Sequence, residues 1–336
     1  MKAAYYERQG KAVEVLCIGE VPLPEPGPGE VRVAIHVSGV NPTDIKARTG
    51  FSSAMAFPRI IPHQDGAGVI DAVGAGVPAS RIGERVWVYE AQYGRDCGTA
   101  AEFAVVDSAK AVPLPAGISF EIGASLGIPA ITAYHCLFAD GDIRGKRILV
   151  HGGAGVVGSA VTMLAKWAGA WVVTTVIDDA HIDAAQAAGA DLILNIRVED
   201  VAARVKAETG GEGVDRIIDV ALLHNLEIDM ACLKTGGFVV SYATGDAKDR
   251  LPLPLLDAMI GGCVFRFVYI YNATREAKRE ATEAITACLK DGAYAPIIGL
   301  NVSLDAIAEA HDALDSGAMI GKALVSVRNP TVGVAA

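Results

Sequence analysis

The residues with the clearest potential for chemistry are the glycines of the segment RILVHGGAGVVGSAVTML, where Gly153, Gly155 and Gly158 have the spacing GxGxxG. An apolar run typical of a strand precedes them, and a helical pattern follows. In such a loop the first glycine permits a tight turn, the second lets a pyrophosphate approach the backbone, and the third allows close helix–strand packing. Free N–H groups at the helix start, here those of Val156 and Val157, favour negative charge. We therefore predict that these five residues bind the pyrophosphate of a dinucleotide.

The sequence around this loop favours a dinucleotide site over a glycine-rich turn without a ligand. The next strand, WVVTTVI, leads into Asp178 and Asp179, about 20 residues after the last glycine, where an acid that binds ribose is expected. The apolar stretch 148–165 is almost long enough to span a bilayer. However, each glycine in it weakens a helix by roughly 1 kcal/mol relative to alanine, so we predict a strand, a turn and a helix, and no membrane contact.

The elements that must position this loop follow from the pattern along the chain. The first third reads as β structure, with alternation in EVRVAIHVSGV and short runs such as RVWVY separated by glycine and proline turns. From about Phe120, apolar strands such as RIIDVA and GFVVSYA alternate with helical patterns, as in a parallel sheet covered on both faces. We predict an α/β protein with a doubly wound sheet and a mostly β, barrel-like domain.

Composition excludes other classes of protein. The 336 residues suffice for about two domains, and the net charge of −10 argues against a nucleic-acid partner. The N-terminus lacks the apolar core of a signal peptide, and the six cysteines form no CxxC pair. Scattered thiols of this kind are typical of a reduced, cytoplasmic protein.

Several longer motifs resemble the medium-chain dehydrogenase/reductase superfamily, and within it the zinc-free quinone oxidoreductase (zeta-crystallin-like) branch. The likeness covers nearly the whole chain. It rests on the glycine loop and on four further segments in the same order: SGVNPTDIKARTG, IPHQDGAGVIDAVGAGV, SLGIPAITAYHCLF and AGADLILN. Several long matches in order are more specific than the glycine spacing alone.

The resemblance implies an architecture for the whole chain. The cofactor domain would be a Rossmann domain over residues 124–270. The substrate domain would be a GroES-like domain over residues 1–123, completed by residues 271–336. In related proteins the last strand of the Rossmann sheet pairs with its twin across a dimer, which for GGCVFRFVYIY predicts a homodimer. The alternative is an internal strand that faces the substrate domain.

The resemblance also bears on zinc. Zinc-dependent relatives have a cysteine where this chain has Asn41, a histidine matched here by His63, and a third ligand where this chain has Ile128. The cysteines of the structural zinc lobe are missing as well, since Cys97 stands alone. One imidazole cannot build the open three-ligand site of a catalytic zinc. We therefore predict no metal, and we interpret His63 as a hydrogen-bonded histidine.

Two residues are predicted to be catalytic. Asn41 matches a cleft position of the family and could donate an amide hydrogen to a substrate carbonyl; alternatively it is a turn residue before Pro42. Thr132 matches a threonine that lies beside the nicotinamide in the family, and its alternative role is an ordinary helix hydroxyl bonded to its own backbone.

The residues near the predicted ribose site leave the choice of reductant open. The family branch favours NADP(H). Asp178, by contrast, would accept hydrogen bonds from the ribose hydroxyls of NAD(H) and repel a 2′-phosphate, unless it only caps the following helix. His181 stands where a lysine can occur, Lys322 is a candidate basic partner, and Tyr242 is a further predicted cofactor contact. On balance these residues favour NAD(H).

The sequence thus predicts an enzyme that transfers hydride from NAD(P)H to a small hydrophobic electrophile, a quinone or an activated alkene conjugated to a carbonyl, without zinc. A quinone needs no Lewis acid because its reduced form is aromatic. Two alternatives remain: a zinc-free alcohol dehydrogenase-like enzyme, and a cofactor-binding protein with a structural or RNA-binding role.

Overall fold

The fold is described from a computed structural model over residues 1–51, 53–317 and 319–328. The chain divides into two compact units, unit 1 (Met1–Ile128 and Ile298–Ala336) and unit 2 (Pro129–Ile297). Residues 329–336, the end of the predicted segment 271–336, lie outside the described residues.

Unit 1 is mostly β structure, as predicted. Its strands are β1 (Lys2–Tyr5), β2 (Cys17–Glu20), β3 (Glu30–Gly39), β4 (Asp65–Val73), β5 (Arg85–Val88), β6 (Phe103–Asp107), β7 (Ala111–Pro113), β14 (Ile298–Ser303) and β15 (Lys322–Ser326). Its helices are α1 (Ala12–Val15), α2 (Pro42–Thr49), α3 (Phe120–Ala124) and α11 (Ile307–Asp315).

The main sheet of unit 1 has seven strands in the order β14-β15-β3-β4-β5-β7, with β6 paired to β3. All neighbours are antiparallel except β14 and β15. The long strand β3 lies at the centre, and β-branched side chains such as Val31, Val33 and Ile35 fill the core beneath it. The predicted antiparallel, barrel-like class is therefore confirmed for this unit.

Unit 2 alternates strands with helices. Its strands are β8 (Arg147–Val150), β9 (Trp171–Val176), β10 (Leu192–Asn195), β11 (Val214–Asp219), β12 (Leu233–Ser241) and β13 (Val264–Phe267). Its helices are α4 (Gly127–Phe138, which starts in unit 1), α5 (Val156–Trp167), α6 (Ile182–Ala187), α7 (Val201–Glu208), α8 (Leu222–Cys232), α9 (Leu255–Gly261) and α10 (Arg275–Lys290).

The six strands of unit 2 are all parallel, in the order β10-β9-β8-β11-β12-β13. This is the doubly wound order, in which the chain leaves β8 first to one side and later to the other. The carboxyl ends of β8 and β11 therefore form the switch point, where ligands bind in such sheets. The predicted Rossmann fold is confirmed.

The return of the chain to unit 1 differs from the prediction. It occurs at Ile298, not at residue 271. Helix α10 belongs to unit 2 because it packs on α5, and the Trp167 indole donates to the carboxylate of Asp291 just after α10. The segment 271–297 is thus part of unit 2, and the other boundary falls after Ile128 instead of residue 123.

Candidate functional site

The glycine loop leaves β8 at the switch point. His151 continues the strand ladder by donating its backbone N–H to the carbonyl of Ile218 at 2.9 Å. The tight turn that follows is made by Gly152, whose φ of 74° is left-handed. The predicted turn residue Gly153 does not have a positive φ, so the turn lies one residue earlier than the spacing predicts.

The three glycines of the motif have distinct steric surroundings. A Cβ on Gly153 would lie 1.9 Å from Oγ1 of Thr174 on β9, and a Cβ on Gly158 would lie 2.2 Å from the carbonyl oxygen of Gly152. Both positions therefore exclude any side chain. A Cβ on Gly155 would meet only the carbonyl of Gly152, at 3.2 Å. Gly155 is the one glycine of the motif whose outer side is open for a ligand.

Helix α5 starts directly behind this open position. Gly155 is its N-cap, and no side chain caps the helix there. The first-turn N–H groups of a helix, including those of Val156 and Val157, have no partner within the helix. An open approach to uncapped amides at the positive end of a helix fits a pyrophosphate group, so the residues present fit a dinucleotide.

The acidic residues after β9 are both exposed, but each has a structural contact. Asp178 Oδ1 accepts from the backbone N–H of Ala180 at 2.9 Å, which makes Asp178 a cap of a short turn of helix. Asp179 Oδ1 accepts from Nδ2 of Asn195 at the end of β10, at 2.7 Å. His181 ends the same turn, half-buried.

Tyr242 lies at the carboxyl end of β12, where its backbone N–H donates to the carbonyl of Asp219 at 3.4 Å. Burial, together with the charges of Cys136 and Asp219, raises the pKa of its phenol. A neutral phenol at this edge of the sheet is placed on the same side as the glycine loop, and its role as a cofactor contact stays a prediction.

Lys322 does not have the predicted role. Its side chain is 1% exposed and its Nζ donates to Asn41 Oδ1 at 2.7 Å and to Asp65 Oδ2 at 3.1 Å, all within unit 1. An ammonium held in this way cannot reach out to a 2′-phosphate. Lys322 is the counter-ion of the buried Asp65.

Asn41 also differs from its predicted catalytic role. It is the N-cap of α2, just before Pro42, and its side-chain amide donates to Asp65 Oδ2 at 2.7 Å while its carbonyl oxygen accepts from Lys322. The buried amide is therefore committed to this cluster. The structure supports the alternative role at a turn and helix start, and it does not support Asn41 as a carbonyl donor.

A second carboxyl group, that of Asp44, is buried next to this cluster. Its Oδ2 accepts from the backbone N–H of Asn41 at 2.8 Å, whereas its Oδ1 has no partner among the described residues. Burial and the charge of Asp65 raise the pKa of Asp44 to about 8. A neutral Asp44 leaves Asp65 and Lys322 as one balanced ion pair in the interior.

His63 begins a chain of hydrogen bonds whose direction can be worked out. Arg48 Nε can only donate, and it donates to His311 Nδ1 at 3.3 Å. A neutral His311 then carries its hydrogen on Nε2 and donates to Nε2 of His63 at 2.9 Å. Burial and the charge of Arg48 lower the pKa of His311 to about 3, and burial with the charge of His311 lowers that of His63, so both rings are neutral.

The chain continues from the other nitrogen of His63. Its Nδ1–H donates to Ser38 Oγ at 2.8 Å, Ser38 donates to Thr99 Oγ1 at 2.7 Å, and Thr99 donates to the backbone carbonyl of Asp65. Both nitrogens of His63 are thus used within the protein, as the interpretation of His63 as a hydrogen-bonded histidine requires.

The residues at the former zinc positions do not fit a zinc ion. Ile128 offers an apolar side chain, and its backbone N–H donates to Asp65 Oδ1 at 2.8 Å. Asn41 bonds the other oxygen of the same carboxylate. The cation at this carboxylate is the ammonium of Lys322, which would repel a metal ion placed beside it.

Thr132 lies in α4 with 6% of its surface exposed. Other buried helix hydroxyls bond a carbonyl of the preceding turn, as Thr162 does to Gly158 at 3.0 Å and Thr282 to Arg279 at 2.8 Å. Within the described part of the chain, the hydroxyl of Thr132 has no such partner. The alternative role as an ordinary backbone-bonded hydroxyl therefore does not describe Thr132.

The sequence reasoning missed one cluster at the switch point. His151, Asp219 and Asp229 are buried, and one side-chain nitrogen or oxygen atom of each lies within 4.8 Å of those of the other two. Among the described residues, no other three His, Cys, Asp or Glu side chains come together in this way. The signal was present, since His151 directly precedes the glycine loop and Asp219 ends the strand RIIDVA. Asp229, however, lies in a helix far along the chain.

Comparisons with known proteins agree with this geometry. Two family models match, "Alcohol dehydrogenase GroES-like domain" over residues 27–116 and "Zinc-binding dehydrogenase" over residues 156–289. A quinone oxidoreductase of Rattus norvegicus is 31% identical over 309 residues, which cover 91% of this chain and 92% of that protein.

Among solved structures, oxidoreductases have a similar fold. The quinone oxidoreductase of Escherichia coli complexed with NADPH has a TM-score of 0.85 and 26% identity, covering 97% of this chain and 100% of that one. An NAD-dependent alcohol dehydrogenase has a TM-score of 0.88 and 26% identity, covering 98% and 100%. In the part of the chain that is described, no helix has both the length and the apolar character to cross a membrane.

Proposed function

Because the chain belongs to the quinone oxidoreductase-like branch of the medium-chain dehydrogenase/reductase superfamily, and is an oxidoreductase that uses a nicotinamide cofactor, we propose that it reduces a quinone or an activated enone without zinc. The observation that carries the proposal is an intact glycine loop in a protein whose zinc positions hold an amide, an alkyl side chain and a histidine with both nitrogens bonded.

The protein's own contribution is binding and orientation. The open amides of α5 hold the pyrophosphate, and the bound nicotinamide supplies the hydride. Reduction of a quinone takes one hydride and one proton, and the proton comes from solvent. Thr132 is the side chain proposed to orient the reacting groups through a hydrogen bond, because the described residues leave its hydroxyl without a partner.

The zinc-independence of the reaction is part of the proposal. Lys322 already neutralises Asp65, and the surrounding oxygen and nitrogen atoms bond one another. A quinone is reduced without a Lewis acid because its reduced form is aromatic, whereas a metal ion that polarises the oxygen assists the oxidation of a simple alcohol. The substrate class and the missing ligand set are therefore consistent.

The test is a reduction assay on protein treated with a chelator and analysed for metal. We expect NAD(P)H oxidation that depends on a quinone or an enone, with no loss after chelation and no ethanol oxidation. A bound stoichiometric zinc whose removal abolishes activity would contradict the proposal. The Gly155→Val variant, which blocks the open side of the loop, is the matched inactive control.

For the reductant we propose NADH. Asp178 uses one oxygen as a cap, but a carboxylate has about four acceptor sites, so the exposed group remains able to accept from ribose hydroxyls and to repel a 2′-phosphate. His181 follows on the same turn, and we propose it as a further contact at this end of the cofactor. With Lys322 bound elsewhere, the basic partner predicted for a 2′-phosphate is lost.

Kinetics with both reductants test this preference. We expect Asp178→Ser to shift the kcat/KM ratio towards NADPH by about tenfold, a change of roughly 1.4 kcal/mol, and Asp183→Ser, at an exposed position on α6, to leave the ratio unchanged. If Asp178→Ser leaves the ratio of the two kcat/KM values unchanged, Asp178 acts only as a helix cap.

Two other functions remain as competitors. An alcohol dehydrogenase-like activity without zinc would appear as oxidation of an alcohol by the chelated protein. A cofactor-binding protein with a structural or RNA-binding role would bind NADH and reduce no electrophile. The quinone and alcohol assays therefore separate all three.

We also propose a homodimer and a cytoplasmic location. The edge strand β13 and the preceding helix α9 present an apolar surface, formed by Leu255, Leu256, Met259, Ile260, Val264 and Phe267, all well exposed. A second copy paired edge to edge would cover it. The location is supported by six cysteines that are all free thiols.

A further inference from the structure

The cluster behind the glycine loop joins three elements at the switch point of unit 2. His151, directly after β8, bonds through Nε2 to Asp229 Oδ1 on α8 at 2.9 Å and through Nδ1 to Thr175 Oγ1 on β9 at 3.0 Å. Asp219 ends β11 beside them. The side chains of His151 and Asp229 are 1% and 0% exposed, so water does not compete for these bonds.

The two carboxyl groups of the cluster leave one oxygen each without a donor. Asp219 Oδ1 accepts from the backbone N–H of Ala221 at 2.6 Å and from Asn225 Nδ2 at 3.1 Å. Asp219 Oδ2 and Asp229 Oδ2, by contrast, are buried and receive no hydrogen from the described residues. One oxygen of each carboxyl group lies within 4.8 Å of the other. Two carboxylates this close in a buried site repel each other unless one of them takes up a proton.

The same cluster holds the start of the glycine loop. Thr175, whose hydroxyl bonds His151, accepts at that oxygen from the N–H of Gly152 at 3.4 Å, and its carbonyl accepts from the N–H of Gly153 at 2.9 Å. The position of the loop is therefore coupled to the imidazole of His151, and through it to the carboxyl of Asp229.

We propose that His151, Asp219 and Asp229 bind a shared proton and position the glycine loop for the pyrophosphate, so that the cofactor binds more tightly when the cluster is protonated. This inference rests on the proposed use of the loop for a nicotinamide cofactor. His151 and Asp229 are positioning residues in it, since they act on the cofactor through Thr175 and the loop backbone.

The sign of the effect follows from the charges. With an imidazolium and two carboxylates the cluster carries one net negative charge directly behind the phosphate-binding amides. A proton between the carboxyl groups makes it neutral. Because the pyrophosphate is anionic, it binds better to the neutral form, and by linkage cofactor binding draws a proton from solvent.

The acid–base properties of the individual groups agree with this scheme. Burial, with a further contribution from Asp219, raises the pKa of Asp229 to about 7 despite the opposing bond from His151. Burial disfavours the charge on His151, but its hydrogen bond to Asp229 and the nearby negative charges outweigh that cost and raise its pKa. Protonation changes of the cluster therefore occur near neutral pH.

Two further titratable groups are close enough to be influenced by the cluster. Tyr242, after β12, feels the charge of Asp219, and Cys232, at the end of α8, feels that of Asp229. Burial raises the pKa of Tyr242, and burial with the charge of Asp229 raises that of Cys232 to about 12. Both groups are neutral over the range of the experiment, so neither contributes to the pH response of the cluster.

The experiment measures the Kd of NADH by fluorescence from about pH 6 to about pH 9, in the full-length protein without an electrophile. NADH is used because its phosphates do not titrate there. We expect the wild-type Kd to rise roughly tenfold across this range, about one unit of linked pKa. Calorimetry at neutral pH in buffers of different ionisation enthalpy should show proton uptake on binding.

The variant Asp229→Asn distinguishes this mechanism from a purely structural role. Its amide can donate to Asp219 and accept from His151, which imitates the protonated pair permanently. We expect NADH binding as tight as that of the wild type at low pH, with a flat pH profile. The control Asp183→Asn, which removes an exposed carboxylate on α6, should keep the wild-type profile.

The outcomes separate this inference from the proposed function. A protein that binds no NADH at any pH contradicts the proposed function itself. NADH binding with a pH-independent Kd and no proton uptake overturns the inference alone, and so does an Asp229→Asn variant that keeps the wild-type profile. Should Asp229→Asn fail to fold, the calorimetry of the wild type still decides.

Discussion

Thr132 gives the sharpest test of a single side chain. Among the described residues its hydroxyl lacks the backbone acceptor that buried helix threonines such as Thr282 have, although the two are similarly buried at 6% and 7% exposure. We expect Thr132→Val to lower kcat with a quinone about tenfold, the equivalent of one hydrogen bond of roughly 1.4 kcal/mol. Steady-state kinetics measure this, with Thr282→Val as the control of unchanged kcat. Equal effects of the two variants would rule out a special role for Thr132.

Asp44 makes the stability of the protein depend on pH in an unusual direction. Burial and the charge of Asp65 raise its pKa from 3.8 to about 8. A carboxyl with a raised pKa stabilises the fold below its unfolded pKa, and that stability is lost as the pH rises from about 4 to about 8. An Asp44→Asn variant stays neutral, so its stability relative to that of the wild type should increase between pH 5 and pH 8.

Thermal unfolding at the two pH values measures this gain. We expect a relative increase in Tm of about 3 °C or more, since about 1 kcal/mol corresponds to roughly 2–4 °C in a domain of this size. Asp183→Asn, which changes an exposed aspartate on α6 in the same way, is the control. A constant difference in Tm between Asp44→Asn and the wild type would show that Asp44 is ionised throughout.

Single residues were predictable where their structural context is local in the chain. The glycine loop needs only its own spacing and the flanking elements, so its place between a strand and a helix could be predicted from sequence. Lys322 was misassigned because its partners, Asn41 and Asp65, are 281 and 257 residues away in the sequence. No residue close to Lys322 in the sequence indicates that its ammonium group pairs with a buried carboxylate.

At the scale of elements, the strand–turn–helix unit β8–α5 contains two glycines that packing requires, Gly153 and Gly158, and one, Gly155, that we propose for binding. The N-cap angles of Gly155, φ −72° and ψ 159°, are accessible to valine. We expect Gly155→Val to fold and to lose less thermal stability than Gly153→Ala, because its Cβ has one tight contact, 3.2 Å to the carbonyl oxygen of Gly152, and valine is a poorer N-cap than glycine. It should weaken NADH binding more than tenfold, because the side chain enters the space proposed for the phosphate. Gly155→Ala should give a smaller loss.

Gly153→Ala is the contrasting variant. Its methyl group would lie 1.9 Å from the hydroxyl of Thr174, so we expect a fall in thermal stability as well as in binding. Binding titrations and unfolding curves for the three variants check this division. A Gly155→Val variant that is less stable than Gly153→Ala, or an undisturbed Gly153→Ala, would show that the loop is arranged differently.

The elements themselves were predictable because apolar runs and turn residues repeat along unit 2. The point of return to unit 1 was not, for a physical reason. Helix α10 is amphipathic, and this pattern predicts that its apolar face packs on another element without identifying that element. Its contact with α5 joins segments more than a hundred residues apart, as the bond from Trp167 to Asp291 illustrates.

At the scale of the whole molecule, the apolar surface of α9 and β13 should determine the oligomeric state. Met259 and Ile260 are 70% and 73% exposed, next to the edge strand β13, which among the described residues is paired on one side only. Two copies related by a two-fold axis would pair their β13 strands and bury these side chains. We expect a dimer at micromolar concentration in sedimentation or light-scattering measurements.

The variant Ile260→Glu would place two carboxylates, one from each copy, in that apolar interface, where neither would find a counter-ion. Burying an unpaired charge costs several kcal/mol. We therefore expect the Kd of the dimer to rise at least a hundredfold while each chain stays folded. Val13→Glu makes a similar change at a side chain of unit 1 that is also 70% exposed, and should leave the dimer intact. A wild type that sediments as a monomer, or an Ile260→Glu variant that remains a dimer, would place the contact elsewhere.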